Sequence, residues 1–240
     1  LFMKDPYIKI FPDAKALSEY YANHLVSLIS KRKRGDGFYT IALSGGSTPK
    51  LLFDVIASKF AGNINWNEVH FFWVDERCVP PESNYGSASE MFLSRIDIPR
   101  KNIHRIKGED DPYREAERYA SEISEFTLSE KSLPRFDLVL LGMGDDGHTA
   151  SIFPDRMELL RSEKICEVAV HPASGQKRIT ISGAVINNAG SVVFLVTGKS
   201  KMKVVTDVIN KTEASANYPA SFINPGQGRL FWMLDAESGA

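Results

Sequence analysis

The feature that most constrains the fold is an alternation of short apolar runs with longer segments of helical spacing. Near-continuous apolar runs are typical of strands buried on both faces. Joined by helices, they predict an α/β fold, a three-layer sandwich whose mainly parallel, Rossmann-like central sheet is covered by helices on both faces. We expect one domain over residues 1–240. The predicted strands are Phe38–Leu43, Val69–Val74, Phe136–Leu141, Ile165–Val170, Arg178–Ser182, Ser191–Val196 and Leu230–Leu234.

Helical patterns lie between most of these runs. Asp13 is suited to cap a first helix that extends to about Arg34. Pro49 is suited to the first helical position of a second. Ligands bind beyond the carboxyl ends of the strands in such folds, so the loops there should carry the functional residues. The other predicted helices are Tyr85–Arg95, Pro112–Leu128 and Ser200–Ile209.

One loop combines glycines, carboxylates and an imidazole directly after a predicted strand. It reads Gly142-Met-Gly-Asp-Asp-Gly-His148. Glycine lets the backbone turn sharply and approach a bound group. Histidine exchanges protons near neutral pH, and a nearby carboxylate can fix its tautomer. The segment therefore predicts a catalytic loop.

The same glycines allow other interpretations. Gly142, Gly144 and Gly147 also have the spacing of a dinucleotide-binding turn. That turn needs a helix whose first N–H groups face the pyrophosphate, but Pro154 would end such a helix early. The neighbouring carboxylates would also repel the phosphates. A glycine-rich turn with a capping aspartate and a surface histidine is the remaining alternative.

A second loop, Ser44-Gly-Gly-Ser-Thr48, joins a predicted strand to a predicted helix. Its glycines allow a concave run of N–H groups, its hydroxyls add donors, and the helix N-terminus adds partial positive charge. These features predict a cradle for a phosphate group. The spacing of a nucleoside-triphosphate loop is absent, so a phosphorylated small molecule is expected. An ordinary capped turn is the alternative.

Cations follow other predicted strands. Arg77 ends one strand, and we interpret it as facing the same crevice as the histidine loop, with a solvated turn as the alternative. Lys201 lies in the first turn of a helix, where the helix dipole disfavours a cation, which suggests that it meets the phosphate. Arg178 could supply a second cation, and Asn84 could reach the site. Lys199 is a weaker candidate than Lys201.

The composition excludes several classes of function. A net charge of −1 gives no electrostatic case for nucleic acid or membrane binding. No apolar run approaches the ~20 residues that span a bilayer. Cys78 and Cys166 form no disulfide or zinc pattern, and the 5 histidines form no H-x-x-x-H pair. We therefore expect no metal, no cofactor and a cytoplasmic location.

Together these segments resemble the 6-phosphogluconolactonase family, the lactone hydrolases of the pentose phosphate pathway. The resemblance implies the sandwich fold shared with glucosamine-6-phosphate deaminases, and hydrolysis of 6-phospho-D-glucono-1,5-lactone to 6-phospho-D-gluconate. It covers nearly the whole chain in order. The matching segments are Leu43–Pro49, Asp75–Arg77 with Ser83–Asn84, Leu141–Pro154, Arg178–Thr180 and Thr197–Lys201.

The loops and the resemblance imply roles for individual residues. His148 would take a proton from the attacking water, and Asp146 would orient its ring, with Asp145 the weaker candidate for that task. Arg77 would stabilise the developing negative charge. The residues expected to bind the phosphate and the rest of the substrate are Ser44, Gly45, Gly46, Ser47, Thr48, Asp75, Asn84, Gly144, Arg178 and Lys201.

Two other functions share these motifs. A related deaminase would carry a glutamate where this chain has Phe153, and typically Asp-Glu-Tyr where it has Asp75–Arg77. A non-catalytic sugar-phosphate sensor would bind its ligand without turnover. We expect an enzyme, a carboxylic ester hydrolase that acts on a small phosphorylated lactone, as a monomer or weak homodimer.

Overall fold

The computed structural model describes residues 6–31, 37–79, 83–130 and 133–239. Every predicted strand and helix has a counterpart in it. The strands are β1 (Tyr7–Phe11), β2 (Tyr39–Leu43), β3 (Val69–Trp73), β4 (Asp75–Arg77), β5 (Leu128–Glu130), β6 (Leu133–Arg135), β7 (Leu138–Leu141), β8 (Cys166–Val170), β9 (Lys177–Ile181), β10 (Ser191–Val196) and β11 (Arg229–Asp235). The α-helices are α1 (Ala14–Ser30), α2 (Ser47–Lys59), α3 (Asn84–Met91), α4 (Pro112–Phe126), α5 (Gly183–Asn187) and α6 (Met202–Ile209).

A six-stranded sheet forms the centre of the molecule in the order β1-β11-β10-β7-β2-β3. Every neighbouring pair of strands runs parallel. All residues of β2, β3 and β7 are buried, so both faces of these strands are covered. The predicted α/β sandwich with a mainly parallel sheet is confirmed.

The strand order reverses between β2 and β7, which are neighbours in the sheet. From β2 the chain continues to β3 at one edge, whereas from β7 it continues to β10 and β11 in the other direction. Diverging connections leave a crevice beyond the carboxyl ends of the two strands, where open α/β sheets bind ligands. The fold therefore favours a binding site between the loops that follow β2 and β7.

Three short strands form a separate antiparallel sheet in the order β4-β9-β8. Residues 171–176 alone connect β8 to β9. Such a short connection permits only antiparallel pairing, because a parallel crossover needs about a dozen residues or more. Two predicted strands, Ile165–Val170 and Arg178–Ser182, therefore lie outside the central sheet.

Local capping and proline chemistry fix where the helices begin. The Asp13 carboxylate accepts the Ala16 N–H at 2.7 Å and caps α1, as predicted. This helix ends at Ser30, and the predicted end near Arg34 lies outside the described residues. The second helix begins before Pro49, which is not its first residue. A proline is tolerated in the first turn because the N–H groups there have no helical partner.

Two buried histidines are joined by hydrogen bonds in the core. His70 Nδ1 lies 2.9 Å from His104 Nε2, and His104 Nδ1 lies 2.8 Å from a carboxylate oxygen of Glu122. Phe72 stacks on the His104 ring, with centroids 4.3 Å apart. Burial, followed by the charge of His104, lowers the pKa of His70 to about 4.

We expect His70 to make the protein less stable as the pH falls from about 6.5 to about 4. In that window a histidine in the unfolded chain binds a proton, whereas folded His70 does not. Its share of the unfolding free energy, ~3 kcal/mol at most, is therefore lost on acidification. Urea unfolding at neutral pH and near pH 4.5 measures the effect. His70→Gln should lose less stability than the wild type over this interval, and equal losses would show that another group titrates.

Candidate active site

A cleft of about 280 Å³ opens at the carboxyl ends of β2, β7 and β10, three adjacent strands of the central sheet. The loops after these strands line much of it, and the small sheet and the start of α3 supply the rest. Its lining residues are Ser44, Gly45, Gly46, Ser47, Thr48, Pro49, Asp75, Arg77, Asn84, Gly142, Met143, Gly144, His148, Ala150, Arg178, Leu195, Val196, Thr197 and Lys201.

The cleft brings together the predicted site residues. All of them except Asp146 line it, and Asp146 contacts the ring of His148. Sequence analysis missed several lining residues, most of them apolar. Thr197 could have been predicted as a site residue, because it belongs to the Thr197–Lys201 segment of the family resemblance. The apolar residues could not have been predicted, since in sequence Leu195 and Val196 look like core positions of a buried strand.

The loop after β2 is shaped by two glycines. A Cβ at Gly45 would lie 1.9 Å from Asn84 Oδ1, so this side of the loop packs directly against the asparagine amide. Gly46 has a φ of 110°, a conformation that favours glycine. The buried Ser44 hydroxyl donates to the Leu140 carbonyl at 2.7 Å, which ties the loop to β7. The whole loop, Ser44 to Thr48, therefore lines the cleft together with the start of α2.

The loop after β7 holds His148 next to Asp146. Asp146 Oδ1 lies 2.6 Å from His148 Nδ1 and accepts the His148 backbone N–H at 3.1 Å. Gly144 permits this arrangement, because a Cβ there would lie 2.1 Å from His148 Nδ1 and 2.5 Å from Asp146 Oδ1. The Gly144 N–H closes the turn by donating to the His148 carbonyl at 2.9 Å.

The charge of Asp146 determines which His148 nitrogen is the donor in this hydrogen bond. Partial desolvation would raise the pKa of Asp146, but the hydrogen bond and charge of His148 outweigh it and lower the pKa to about 2. Asp146 is then ionised at neutral pH and can only accept hydrogen bonds, so His148 Nδ1 is the donor. In the neutral ring, Nε2 is left as the atom that can take a proton.

Packing contacts hold this loop and its imidazole in place. The His148 ring lies against the buried ring of Phe153, with centroids 4.9 Å apart. Phe153 also contacts His171, at 5.2 Å between ring centroids. The Gly147 carbonyl accepts the Ala220 N–H at 3.0 Å. The ring of His148 is therefore fixed both through Nδ1 and across its face.

Two arginines face each other across the small sheet. Arg77 in β4 is paired directly with Arg178 in β9, an arrangement of like charges that is destabilising. The carboxylate of Asp75, 3.9 Å from Arg178 Nη1, offsets part of the repulsion. Arg178 Nε is buried without a hydrogen-bond partner among the described residues, and burial lowers the pKa of the guanidinium. This corner of the cleft is suited to receive an anion.

A buried carboxylate, Glu76, positions the neighbouring site residues. It accepts the backbone N–H groups of Arg77 and Asn84, each at 2.8 Å, and of Tyr85 at 2.9 Å. Asn84 Nδ2 in turn donates to the Asp75 carboxylate at 3.2 Å. Burial raises the pKa of Glu76. Sequence analysis gave Glu76 no role, although a charged residue at the end of a buried strand suggests that the charge is paired or hydrogen-bonded.

The loop after β10 supplies Lys201. Its ammonium lines the cleft and lies 2.5 Å from Asp145 Oδ1, whereas Lys199 is exposed and does not line the cleft. Asp145 therefore forms an ion pair with Lys201, whereas Asp146 is the carboxylate that contacts the imidazole. The hydroxyls of Thr48 and Thr197 lie 2.8 Å apart and connect the loop after β2 to the loop after β10.

Other kinds of site find little support in the part of the chain that the structure describes. No group of 3 or more His, Cys, Asp or Glu side chains there could hold a metal ion. No helix within those ranges is long and apolar enough to cross a membrane. Residues 142–153 contain no helix, and the next helical turn begins at Pro154, so the loop lacks the helix that a dinucleotide-binding turn requires.

Comparisons with known proteins give matches along most of the chain. Residues 12–232 match the family of glucosamine-6-phosphate isomerases/6-phosphogluconolactonase. The chain is 40% identical to a 6-phosphogluconolactonase of Treponema pallidum (strain Nichols), over 96% of this chain and 90% of the relative. It is similar to the structure of 6-phosphogluconolactonase from Trypanosoma brucei, with 29% identity, TM-score 0.87 and coverage of 98% and 97%. A monomeric glucosamine-6-phosphate deaminase shares the fold at 20% identity, with TM-score 0.79 and coverage of 97% and 98%.

Proposed function

The chain belongs to the glucosamine-6-phosphate isomerase/6-phosphogluconolactonase family, and on that premise we propose that it hydrolyses 6-phospho-D-glucono-1,5-lactone to 6-phospho-D-gluconate. This is the lactone-opening step of the oxidative pentose phosphate pathway. The observation that carries the proposal is the shared cleft, which is lined by the loop of residues 44–48 and by His148. A phosphorylated lactone has a dianion at one end and an electrophilic carbonyl at the other, which matches these two features.

The phosphate end is assigned to the loop after β2. Ser47 and Thr48, the first residues of α2, and Lys201 all line the cleft there. Unpaired N–H groups and the positive end of the helix dipole favour an anion at this position. Binding the remote phosphate orients the lactone carbonyl towards the histidine, so that binding energy lowers the barrier to attack.

His148 is the proposed general base. With Nδ1 donating to Asp146, Nε2 takes a proton from a water molecule as the water oxygen bonds to lactone C1. The carbonyl oxygen becomes an oxyanion in the tetrahedral intermediate. When the intermediate collapses, the bond from C1 to the ring oxygen breaks, and His148 returns its proton to that oxygen. The product carries a hydroxyl at C5 and a carboxylic acid at C1, and the acid loses its proton to solvent.

The arginine pair is the proposed site for the charge that develops at C1. Arg77 and Arg178 both line the cleft, and their mutual repulsion is relieved when an anion lies between them. Donors that are already in place stabilise an oxyanion without reorganisation during the reaction. The same cations can hold the carboxylate of the product.

The contacts of Phe153 favour the lactonase over the deaminase. Phe153 lies against the His148 ring and is fully buried, and its apolar side chain can relay no proton. Ring opening and isomerisation of an amino sugar would need an acid or base at this position. Hydrolysis needs only a water and a base next to the carbonyl, which His148 supplies.

Replacing Lys201 with alanine is expected to raise KM for the phosphorylated lactone roughly 10- to 100-fold, because a hydrogen bond to a charged group is lost. The rate constant kcat should change much less, since Lys201 is assigned to the remote phosphate. Acid release after addition of freshly made lactone measures both constants. An unphosphorylated glucono-1,5-lactone should be hydrolysed equally by the variant and the wild type.

Lys199→Ala is the matched control, because Lys199 is an exposed lysine in the same turn that does not line the cleft. It should behave as the wild type with both lactones. Equal losses on the phosphorylated and unphosphorylated lactones would contradict the phosphate role of Lys201. Ammonia release from glucosamine 6-phosphate, without lactone hydrolysis, would replace the proposed function with that of a deaminase.

A further inference from the structure

The adjacent carboxylates Asp145 and Asp146 serve different cations. Asp146 contacts the catalytic imidazole, whereas Asp145 Oδ1 lies 2.5 Å from Lys201 Nζ and accepts the Ser200 hydroxyl at 3.0 Å. Lys201 lines the cleft and its side chain is 22% exposed; Asp145 does not line the cleft and is 66% exposed. The cation assigned to the substrate phosphate is therefore already paired with an anion of the protein.

Other contacts already hold the two loops that this ion pair joins. The Gly198 N–H lies 3.1 and 3.0 Å from the two carboxylate oxygens of Asp235. Gly147 is fixed through its carbonyl, which accepts the Ala220 N–H at 3.0 Å. An exposed ion pair adds little to stability. The ion pair between Asp145 and Lys201 therefore adds little to the stability of these loops, and loop stability does not explain why a carboxylate lies at position 145.

We propose that Asp145 is a competing anion, which pairs with Lys201 until a phosphate group displaces it and thereby limits the affinity of the cleft for phosphorylated ligands. The inference rests on the proposed function and adds the residue that sets phosphate affinity at that site. A phosphate dianion that contacts Lys201 must approach the Asp145 carboxylate within a few ångströms. Repulsion between the two anions, and loss of the existing ion pair, both oppose binding.

The competition acts equally on substrate and product, because both carry the phosphate. Uniform weakening of this kind leaves the chemical step unchanged and raises KM. It also hastens release of the phosphorylated product, a step that limits turnover in many enzymes. Asp145 is thus a positioning residue that acts through Lys201 and has no part in proton transfer.

Isothermal titration of Asp145→Asn with inorganic phosphate and with 6-phosphogluconate tests the proposal without turnover. We expect Kd for both ligands to fall about two- to fivefold. KM for the phosphorylated lactone should fall by a similar factor, and hydrolysis of the unphosphorylated lactone should not change. Asp145→Glu restores the charge and should return Kd towards the wild-type value.

Two controls separate direct competition from a general change of charge. Asp97→Asn removes an exposed carboxylate that does not line the cleft, so it should leave Kd unchanged. In a Lys201→Gln background, Asp145→Asn should have a smaller effect than in the wild type, because no ion pair is left to break and only the repulsion between the two anions remains. An undiminished effect in that background would overturn the proposal.

Weaker or unchanged phosphate binding by Asp145→Asn would also overturn the proposal, since Asp145 would then support Lys201 or be irrelevant to it. This outcome leaves the proposed function intact, provided that the wild type binds phosphate. If the wild type itself fails to bind inorganic phosphate and 6-phosphogluconate, the phosphate end of the proposed function falls together with the inference. The wild-type titration therefore distinguishes the two failures.

Discussion

Alanine in place of His148 is expected to lower kcat for lactone ring opening about 10²- to 10⁴-fold, the usual contribution of a general base. The loss should fall on kcat because the proposed role of the imidazole is to activate water, whereas the phosphate is assigned to the loop after β2. KM should change little. Initial rates of acid release, corrected for spontaneous opening of the lactone in water, measure both constants.

His171→Ala is the matched control for this variant. His171 contacts the same Phe153 ring as His148, but it does not line the cleft. Its removal should leave kcat within a few-fold of the wild type. Unchanged turnover by His148→Ala would remove the histidine from the mechanism, whereas a parallel loss of phosphate binding would indicate a disturbed fold.

The central sheet and the location of the cleft could be predicted from the sequence because both depend on short-range patterns. Runs such as Ser191–Val196 are apolar at nearly every position, which marks strands covered on both faces. The carboxyl ends of parallel strands lie at one edge of a sheet. Residues 44–48 and His148 therefore meet in space although they are far apart in the chain.

Contacts that depend on tertiary packing could not be predicted in the same way. An apolar run does not specify its partner, so the pairing of β9 with β4, which sets Arg77 opposite Arg178, became visible only in the structure. The packing of Asn84 against Gly45 depends equally on how α3 is docked. The edge strand β1 was missed because Tyr7–Phe11 is largely exposed and carries a lysine.

Replacing Gly144 with alanine is expected to lower kcat by about 10²-fold or more, although the change adds only one methyl group. The new Cβ would lie 2.1 Å from His148 Nδ1, 2.3 Å from His148 Cε1 and 2.5 Å from Asp146 Oδ1. Two of these atoms, His148 Nδ1 and Asp146 Oδ1, form the hydrogen bond that fixes the tautomer of His148. The imidazole and the carboxylate must move apart, and Nε2 is then no longer held where the water attacks.

Gly142→Ala separates this steric effect from a general response of the loop. It adds the same methyl group in the same loop, but no atom outside residues 141–143 lies within 4 Å of the new Cβ, and the His148–Asp146 pair is untouched. Gly142 lines the cleft, so the added methyl group can change KM, whereas kcat should stay within a few-fold of the wild type. Thermal unfolding of both variants identifies a loss of stability, since overpacking costs about 1–3 kcal/mol. If Gly144→Ala retains wild-type kcat while folded, the close contact of Asp146 with His148 is not needed for catalysis.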